Sequence, residues 1–283
     1  MRKICIFLLF LLMSTTCAAG LEVIDFRARE TPPLRTESGL ERLVKYLVKP
    51  YKSDIAKARA IYAWIVYNID YDDYKMKHLG DTDEIVFSFE MVKDPQTGRD
   101  VIADVRVKEV ESKGGLETLI ETRLGTCGDI AKLFKRMAEY AGLEAVTIGG
   151  WGCDARNSAD EVMGHMWNAV KLGGKWEYVD ATWAVCDGGG RANLASMRES
   201  EYRSELRDRR YRWSENKEAR KYRVVPDQWF MTPKDQMIWS HFPYDSRWQL
   251  QDGKVLLDTF LKHSCHTTID SFLSVAEKRN KKK

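Results

Sequence analysis

The stretch Gly164-His165-Met166-Trp167-Asn168-Ala169-Val170-Lys171-Leu172-Gly173-Gly174-Lys175-Trp176-Glu177-Tyr178-Val179-Asp180-Ala181-Thr182 decides how this chain folds. Met166–Leu172 and Lys175–Thr182 read as two strands, and the glycine pair between them is a strong signal for a two-residue hairpin turn. Such a turn sets Leu172 opposite Lys175, so residue 167 faces 180 and 165 faces 182. His165 and Asp180 then share one face of the sheet as diagonal neighbours, within reach of each other's side chains. A carboxylate in that position holds one imidazole nitrogen and leaves the other facing a thiol. A three-residue loop would reverse the parity, so the reading rests on the glycine pair being the whole turn.

The thiol stands upstream, in Leu124-Gly125-Thr126-Cys127-Gly128-Asp129-Ile130-Ala131. Ile130, Leu133, Phe134, Met137, Ala138 and Ala141 recur at helical spacing, which puts Cys127 at a helix N-terminus. The unpaired N–H groups and the positive end of the macrodipole there favour the anionic sulfur that attacks carbonyl carbon. A lone cysteine is most often a small buried hydrophobe and a lone histidine a structural residue. The helix-start position combined with a same-face His/Asp pair is what lifts Cys127, His165 and Asp180 above that reading.

Three blocks together resemble the transglutaminase-like superfamily: Gly125-Thr126-Cys127-Gly128-Asp129-Ile130-Ala131-Lys132-Leu133-Phe134, Gly164-His165-Met166-Trp167-Asn168-Ala169-Val170, and Trp176-Glu177-Tyr178-Val179-Asp180-Ala181-Thr182-Trp183. Ala58–Asp72 is similar to the helix that precedes that core. Trp229-Phe230-Met231-Thr232-Pro233 and Ser240-His241-Phe242-Pro243-Tyr244-Asp245 resemble the branch containing kyphoscoliosis peptidase and its fungal cytokinesis relatives. The resemblance implies an α+β, papain-like fold in which the helix carrying the cysteine packs on an antiparallel sheet carrying His and Asp. It also implies amide hydrolysis or acyl transfer through a thioester, with Cys127 as nucleophile, His165 as base and later acid, and Asp180 orienting His165. The rival reading is a noncatalytic peptide-binding or scaffold module with a degenerate cleft of the same type.

At 283 residues, 44% hydrophobic and 31% charged, the chain has the size and balance of an ordinary globular protein. Met1-Arg2-Lys3, the apolar run Ile4–Met13 and Cys17-Ala18-Ala19 read as a secretory signal peptide over residues 1–19. The expected location is therefore secreted or periplasmic. A lipoprotein through Cys17 is disfavoured, because Ser14-Thr15-Thr16 lacks the usual leucine. The apolar run is too short to span a bilayer, which argues against stable membrane insertion. Without Arg2 and Lys3, the 45 basic residues fall to one more than the 42 acidic ones, which argues against a nucleic-acid surface. The expected partner is a protein or peptide substrate; no cofactor is expected, and the oligomeric state is open.

The organisation expected is a leader at 1–19, a transglutaminase-like core at 20–186 with an inserted hairpin near 83–110, a charged helical insertion at 187–223, and an extension at 224–283 packed on the core. Ser38-Gly39-Leu40-Glu41 has capping-box spacing and opens a helix to about Val48. Ser53 caps the next helix, whose stripe is Ile55, Ala58, Ile61, Tyr62, Ile65 and Ile69. Trp64 and Tyr71 are candidates for the cleft lining, although aromatics so placed are more often core. The dense charges from Glu199 to Arg223 read as a solvated helix. Cys153 and Cys186 flank the two site strands, so a bridge between them is a hypothesis beside that of two separate thiols. No metal is expected: Cys127, Cys153, His165 and Cys186 lack ligand pairs at short spacing, and His263-Ser264-Cys265-His266 lacks a second cluster.

Overall fold

The computed structural model describes residues 36–79, 86–93, 98, 100–108, 116–153, 162–212 and 222–267. The leader assigned to 1–19 and the basic end at 278–283 lie outside the described residues. Helix α1 (Glu37–Val48) is capped by Thr36, two residues before the expected cap Ser38, and Thr36 Oγ1 accepts the Gly39 N–H at 3.2 Å. Helix α2 (Asp54–Asn68) begins where expected, with Ser53 Oγ accepting from Ala56 N–H at 3.2 Å. Its burial is wider than a stripe: Ile55 is exposed, while Ala60, Ala63, Trp64 and Val66 are buried along with the expected positions. The cause is packing on several sides, from α1, α4 (Cys127–Tyr140) and α5 (Ala181–Asp187). Trp64 accordingly belongs to the core, with the Arg123 guanidinium 4.9 Å from its ring centroid.

Strand β1 (Asp70–Tyr71) pairs in parallel with β4 (Leu124–Gly125), which follows α3 (Leu116–Thr122). Asp70 faces Leu124 and Tyr71 faces Gly125, so the backbone is pinned directly before Thr126 and Cys127. The hairpin expected near 83–110 is a separate two-stranded sheet, β2 (Val86–Lys93) and β3 (Asp100–Lys108), with Lys93 opposite Asp100. After α5, α6 (Glu199–Arg212) is less solvated than its charge suggests. Tyr202 stacks on Tyr74 at 3.9 Å between centroids and donates its hydroxyl to buried Asp72 at 2.6 Å.

The main sheet is antiparallel, in the order β8 (Phe230–Thr232), β7 (Lys175–Val179), β6 (Met163–Leu172), β5 (Ala145–Gly152), β9 (His241–Pro243). Helix α4 lies across β5 and β6 and buries Ile130, Leu133, Phe134, Met137 and Ala138. This is the α+β arrangement expected, a helix carrying Cys127 on an antiparallel sheet. Gly173 and Gly174 sit at φ 57° and 83°, the left-handed values a tight primed turn demands, and Leu172 does face Lys175. The second strand is shorter than its sequence suggests. It stops at Val179, and Asp180 leaves the sheet to cap α5.

Short helix α7 (Lys234–Met237) leads into β9, and α8 (Leu257–Ser264) packs Phe260 and Leu261 against Trp151, Ile238 and Phe242. The bridge considered between Cys153 and Cys186 does not form. Cys153 is bonded to Cys265, with Cα atoms 5.7 Å apart, and Cys186 is a free thiol. The change from strand to helix at Ala181 explains the difference, because α5 carries Cys186 toward α2 while Cys153 ends β5 beside α8.

Two glycines of β5 let the sheet fold tightly around the site. A Cβ on Gly150 would lie 2.3 Å from Phe242 O and 2.3 Å from Trp167 Cη2. Gly150→Ala should therefore lower stability by about 1–3 kcal/mol, read as a lower denaturant midpoint with unchanged slope. A midpoint equal to that of the parent would show that β9 and Trp167 move aside freely.

Candidate active site

The first turn of α4 is built around Asp129. Its Oδ2 accepts from the Thr126 backbone N–H at 3.0 Å, the Thr126 hydroxyl at 3.1 Å and Lys75 Nζ at 2.9 Å. Placed at the third helical position, this carboxylate also complements the positive end of the helix. Cys127 is the first residue of the helix, buried among Ala131 and Met166. Asn168 on β6 fixes the helix to the sheet by donating to Ala131 O at 3.0 Å and Val146 O at 3.1 Å. Asp72, Lys75, Asp129 and Tyr202 also line a cavity of about 330 Å³ between α6 and this first turn.

His165 stands on β6 opposite Gly150. Its Nε2 is 2.7 Å from Asp180 Oδ2, and the Cys127 sulfur is close enough to favour the protonated ring. With Nε2 committed to the carboxylate, Nδ1 is the nitrogen left for the sulfur. The structure thus pairs His165 with Asp180 and sets Cys127 at the start of α4, where its sulfur acts on the same ring.

Asp180 is fully buried and makes bonds through both oxygens. Oδ1 accepts the N–H groups of Thr182 at 2.8 Å and Trp183 at 3.0 Å, closing the N-terminus of α5. Oδ2 accepts from His165 and also meets Nε2 of His241 at 2.8 Å. His241 is the residue that reading by strand periodicity missed. Its only sequence signal was the Ser240-His241-Phe242-Pro243 block, which carried no assigned role.

The register shows how a strand-β9 residue reaches this carboxylate. Gly150 pairs with His165, and Gly152, two residues on, pairs with His241. Same-parity partners share a face, and the β5 positions on that face, Gly150 and Gly152, carry no side chain to separate the two rings. Their centroids lie 5.2 Å apart. Trp183 covers both, 5.3 Å from His165 and 4.2 Å from His241.

This dry setting governs the charges. Burial alone would depress the imidazolium of His165, but the Asp180 carboxylate, reinforced by the Cys127 sulfur, overcomes it and raises the pKa from 6.5 to about 10. Burial would raise the Asp180 carboxyl; the charge on His165 and the two ring hydrogen bonds instead hold it well below the usual range. Cys186 on α5 is pushed up to about 12 chiefly by burial.

His165, Asp180 and His241 are also a group of potential metal ligands, their ligand atoms within 4.8 Å of one another. The 2.7 and 2.8 Å separations are those of hydrogen bonds, so a cation seated there would have to replace both. Among the described residues, no helix is long and apolar enough to cross a membrane.

Residues 98–181 match the family model of the transglutaminase-like superfamily. Kyphoscoliosis peptidase of Mus musculus is 26% identical over 218 residues, covering 76% of this chain and 24% of that protein. The Homo sapiens kyphoscoliosis peptidase is 25% identical over 249 residues, covering 87% of this chain and 29% of its own. The chain thus spans about a quarter of the length of these curated relatives. A solved crystal structure of a TGase superposes with a TM-score of 0.32 at 13% identity, covering 64% of this chain and 35% of the other.

Because His165 binds its proton more tightly in the fold than in the unfolded chain, its pairing stabilises fully below about pH 6.5 and is lost as pH rises toward about 10. Unfolding free energy from urea titrations should therefore decline across that window, and the decline should be shallower in His165→Gln. Parallel pH profiles for the two proteins would contradict the raised proton affinity.

Proposed function

We propose that this chain, with its transglutaminase-like segment at residues 98–181, is a cysteine-dependent amide hydrolase working through a thioester on Cys127. The observation that carries the reading is the His165–Asp180 pair, 2.7 Å apart through Nε2, with the Cys127 sulfur close enough to reinforce the protonated ring. In this reading the Cys127 sulfur attacks an amide carbon of a peptide or protein. The charge that develops on oxygen is met by the Cys127 backbone N–H at the start of α4. His165, protonated, delivers its proton to the leaving amine, and the thioester remains. Water, deprotonated by the now neutral His165, attacks the thioester and frees the acid. An amine taking the place of water would make the same site an acyl transferase.

Asp180 keeps Nδ1 of His165 aimed at the sulfur and stabilises the imidazolium. Its four accepted bonds make it an anchored anion rather than a proton carrier. The reading includes export to an oxidising compartment, which the Cys153–Cys265 bridge supports.

Incubating a mixed protein extract with the intact chain should generate new peptide termini that Cys127→Ala does not generate, and an added primary amine should not be incorporated. Amine incorporation would reassign the site as a transferase. Neither product, with Cys127 alkylated by iodoacetamide no faster than the free thiol of Cys186, would leave a peptide-binding module. Asp180→Asn should cut turnover by about 10² or more, because its amide presents N–H to groups that already donate, either the two ring N–H groups or those of Thr182 and Trp183.

A further inference from the structure

Ser240 and His241 extend the hydrogen-bonded chain beyond Asp180, and the bond directions can be worked out. Asp180 Oδ1 is occupied by two backbone N–H donors, and Oδ2 faces two imidazole Nε2 atoms at 2.7 and 2.8 Å. A carboxylate only accepts, so both rings carry a proton on Nε2. His241 Nδ1 in turn lies 2.7 Å from Ser240 Oγ, which is also 3.2 Å from Met237 O. If the hydroxyl donates to Nδ1 the ring is neutral. If it donates to the carbonyl, Nδ1 donates to Oγ and the ring is a cation. In both states His241 directs an N–H at the oxygen that His165 uses.

We propose that His241, seated by Ser240, is a positioning residue for the thiol chemistry, sharing Asp180 Oδ2 with His165 and so limiting how tightly His165 holds its proton. The proposal rests on the thiol-enzyme reading for its purpose, while the geometry stands independently. Each donor on Oδ2 draws charge from it, so the carboxylate offers His165 less than it would alone. An imidazolium held too firmly is slow to release its proton to a leaving amine, and slow turnover follows. The second ring moderates the base and stops Oδ2 swinging away from the first.

The neighbours leave this role to His241. Among the described residues, titratable groups that act on the cluster include Cys127 from α4, Tyr62 from α2 and Cys186 from α5. Burial raises the last two and keeps them neutral across the working range. The remaining walls are the indoles of Trp167, Trp183 and Trp229, at 5.0, 4.2 and 5.8 Å from the His241 centroid.

The test is the titration of His165 in the full chain labelled with ¹³C-histidine. The chain has five histidines, and the His165 Cε1 resonance is assigned by its loss in His165→Gln. His241→Phe keeps a ring but removes the donor, and should raise the His165 midpoint by about 0.5 to 1 pH unit. His241→Gln retains an N–H and should restore a midpoint near that of the parent. Ser240→Ala, which leaves Asp180 untouched, should give a smaller rise. A His241→Phe midpoint equal to or below the parent's overturns the proposal; if that variant does not fold, an unshifted Ser240→Ala midpoint does so. Iodoacetamide labelling of Cys127 against Cys186 in the same samples reads the thiol chemistry separately. Equal labelling there would sink the enzyme reading while leaving the His241 result intact.

Discussion

An isolated carboxylate costs several kcal/mol to take out of water, and Asp180 is wholly buried. The site's architecture can be understood as the set of donors that makes this burial affordable. Two come from the backbone at the start of α5 and two from imidazoles on different strands. Because the backbone donors exist only if the chain turns from strand to helix at Ala181, the charge ties the end of β7, the start of α5, β6 and β9 to one point. The dry indole shell strengthens each of these bonds by lowering the local dielectric, and makes the loss of any of them more serious.

Bringing two imidazoles from β6 and β9 to one oxygen requires that nothing stand between them on β5. Gly150 and Gly152 meet that requirement at the cost of backbone stiffness, and the space is taken by the Trp167 ring and the Phe242 carbonyl at Gly150 and by His165 and Trp183 at Gly152. On the opposite side, Asn168 donates one hydrogen bond to Ala131 O of α4 and one to Val146 O of β5, so the helix that carries the thiol is registered on the strand that carries His165. Helix position and ring position are thereby coupled through a single strand.

The parts of this site legible in the sequence were those governed by local rules. The glycine pair at 173–174 fixed a turn whose parity can be counted, and the apolar spacing after Cys127 fixed the helix start. Two failures share a cause in non-local pairing. His241 lies on a three-residue strand, too short for any periodicity, and its partner β5 is about ninety residues earlier. Cys265 is separated from Cys153 by 112 residues, and spacing alone does not determine connectivity. The strand reading of Ala181-Thr182 failed for a different reason: β-forming residues were overridden by the capping that Asp180 supplies.

The Cys153–Cys265 bridge encloses His165, Asp180 and His241 within its loop and leaves Cys127 outside. It also adjoins the second histidine, since Cys153 N–H donates to Ser240 O at 2.9 Å. If Cys127 is the nucleophile proposed above, two opposite things are asked of the sulfur chemistry: Cys127 stays reduced while Cys153 and Cys265 stay oxidised. Both bridged residues are 5% exposed or less, and thiol exchange needs in-line access to a sulfur. A reductant in solution thus meets a kinetic barrier at the bridge that local opening, as of α8, lowers. On the thiol-enzyme reading, any handling that keeps Cys127 reduced by adding thiols sets a clock on the edge of the sheet that holds His241, and that clock runs at the opening rate of α8.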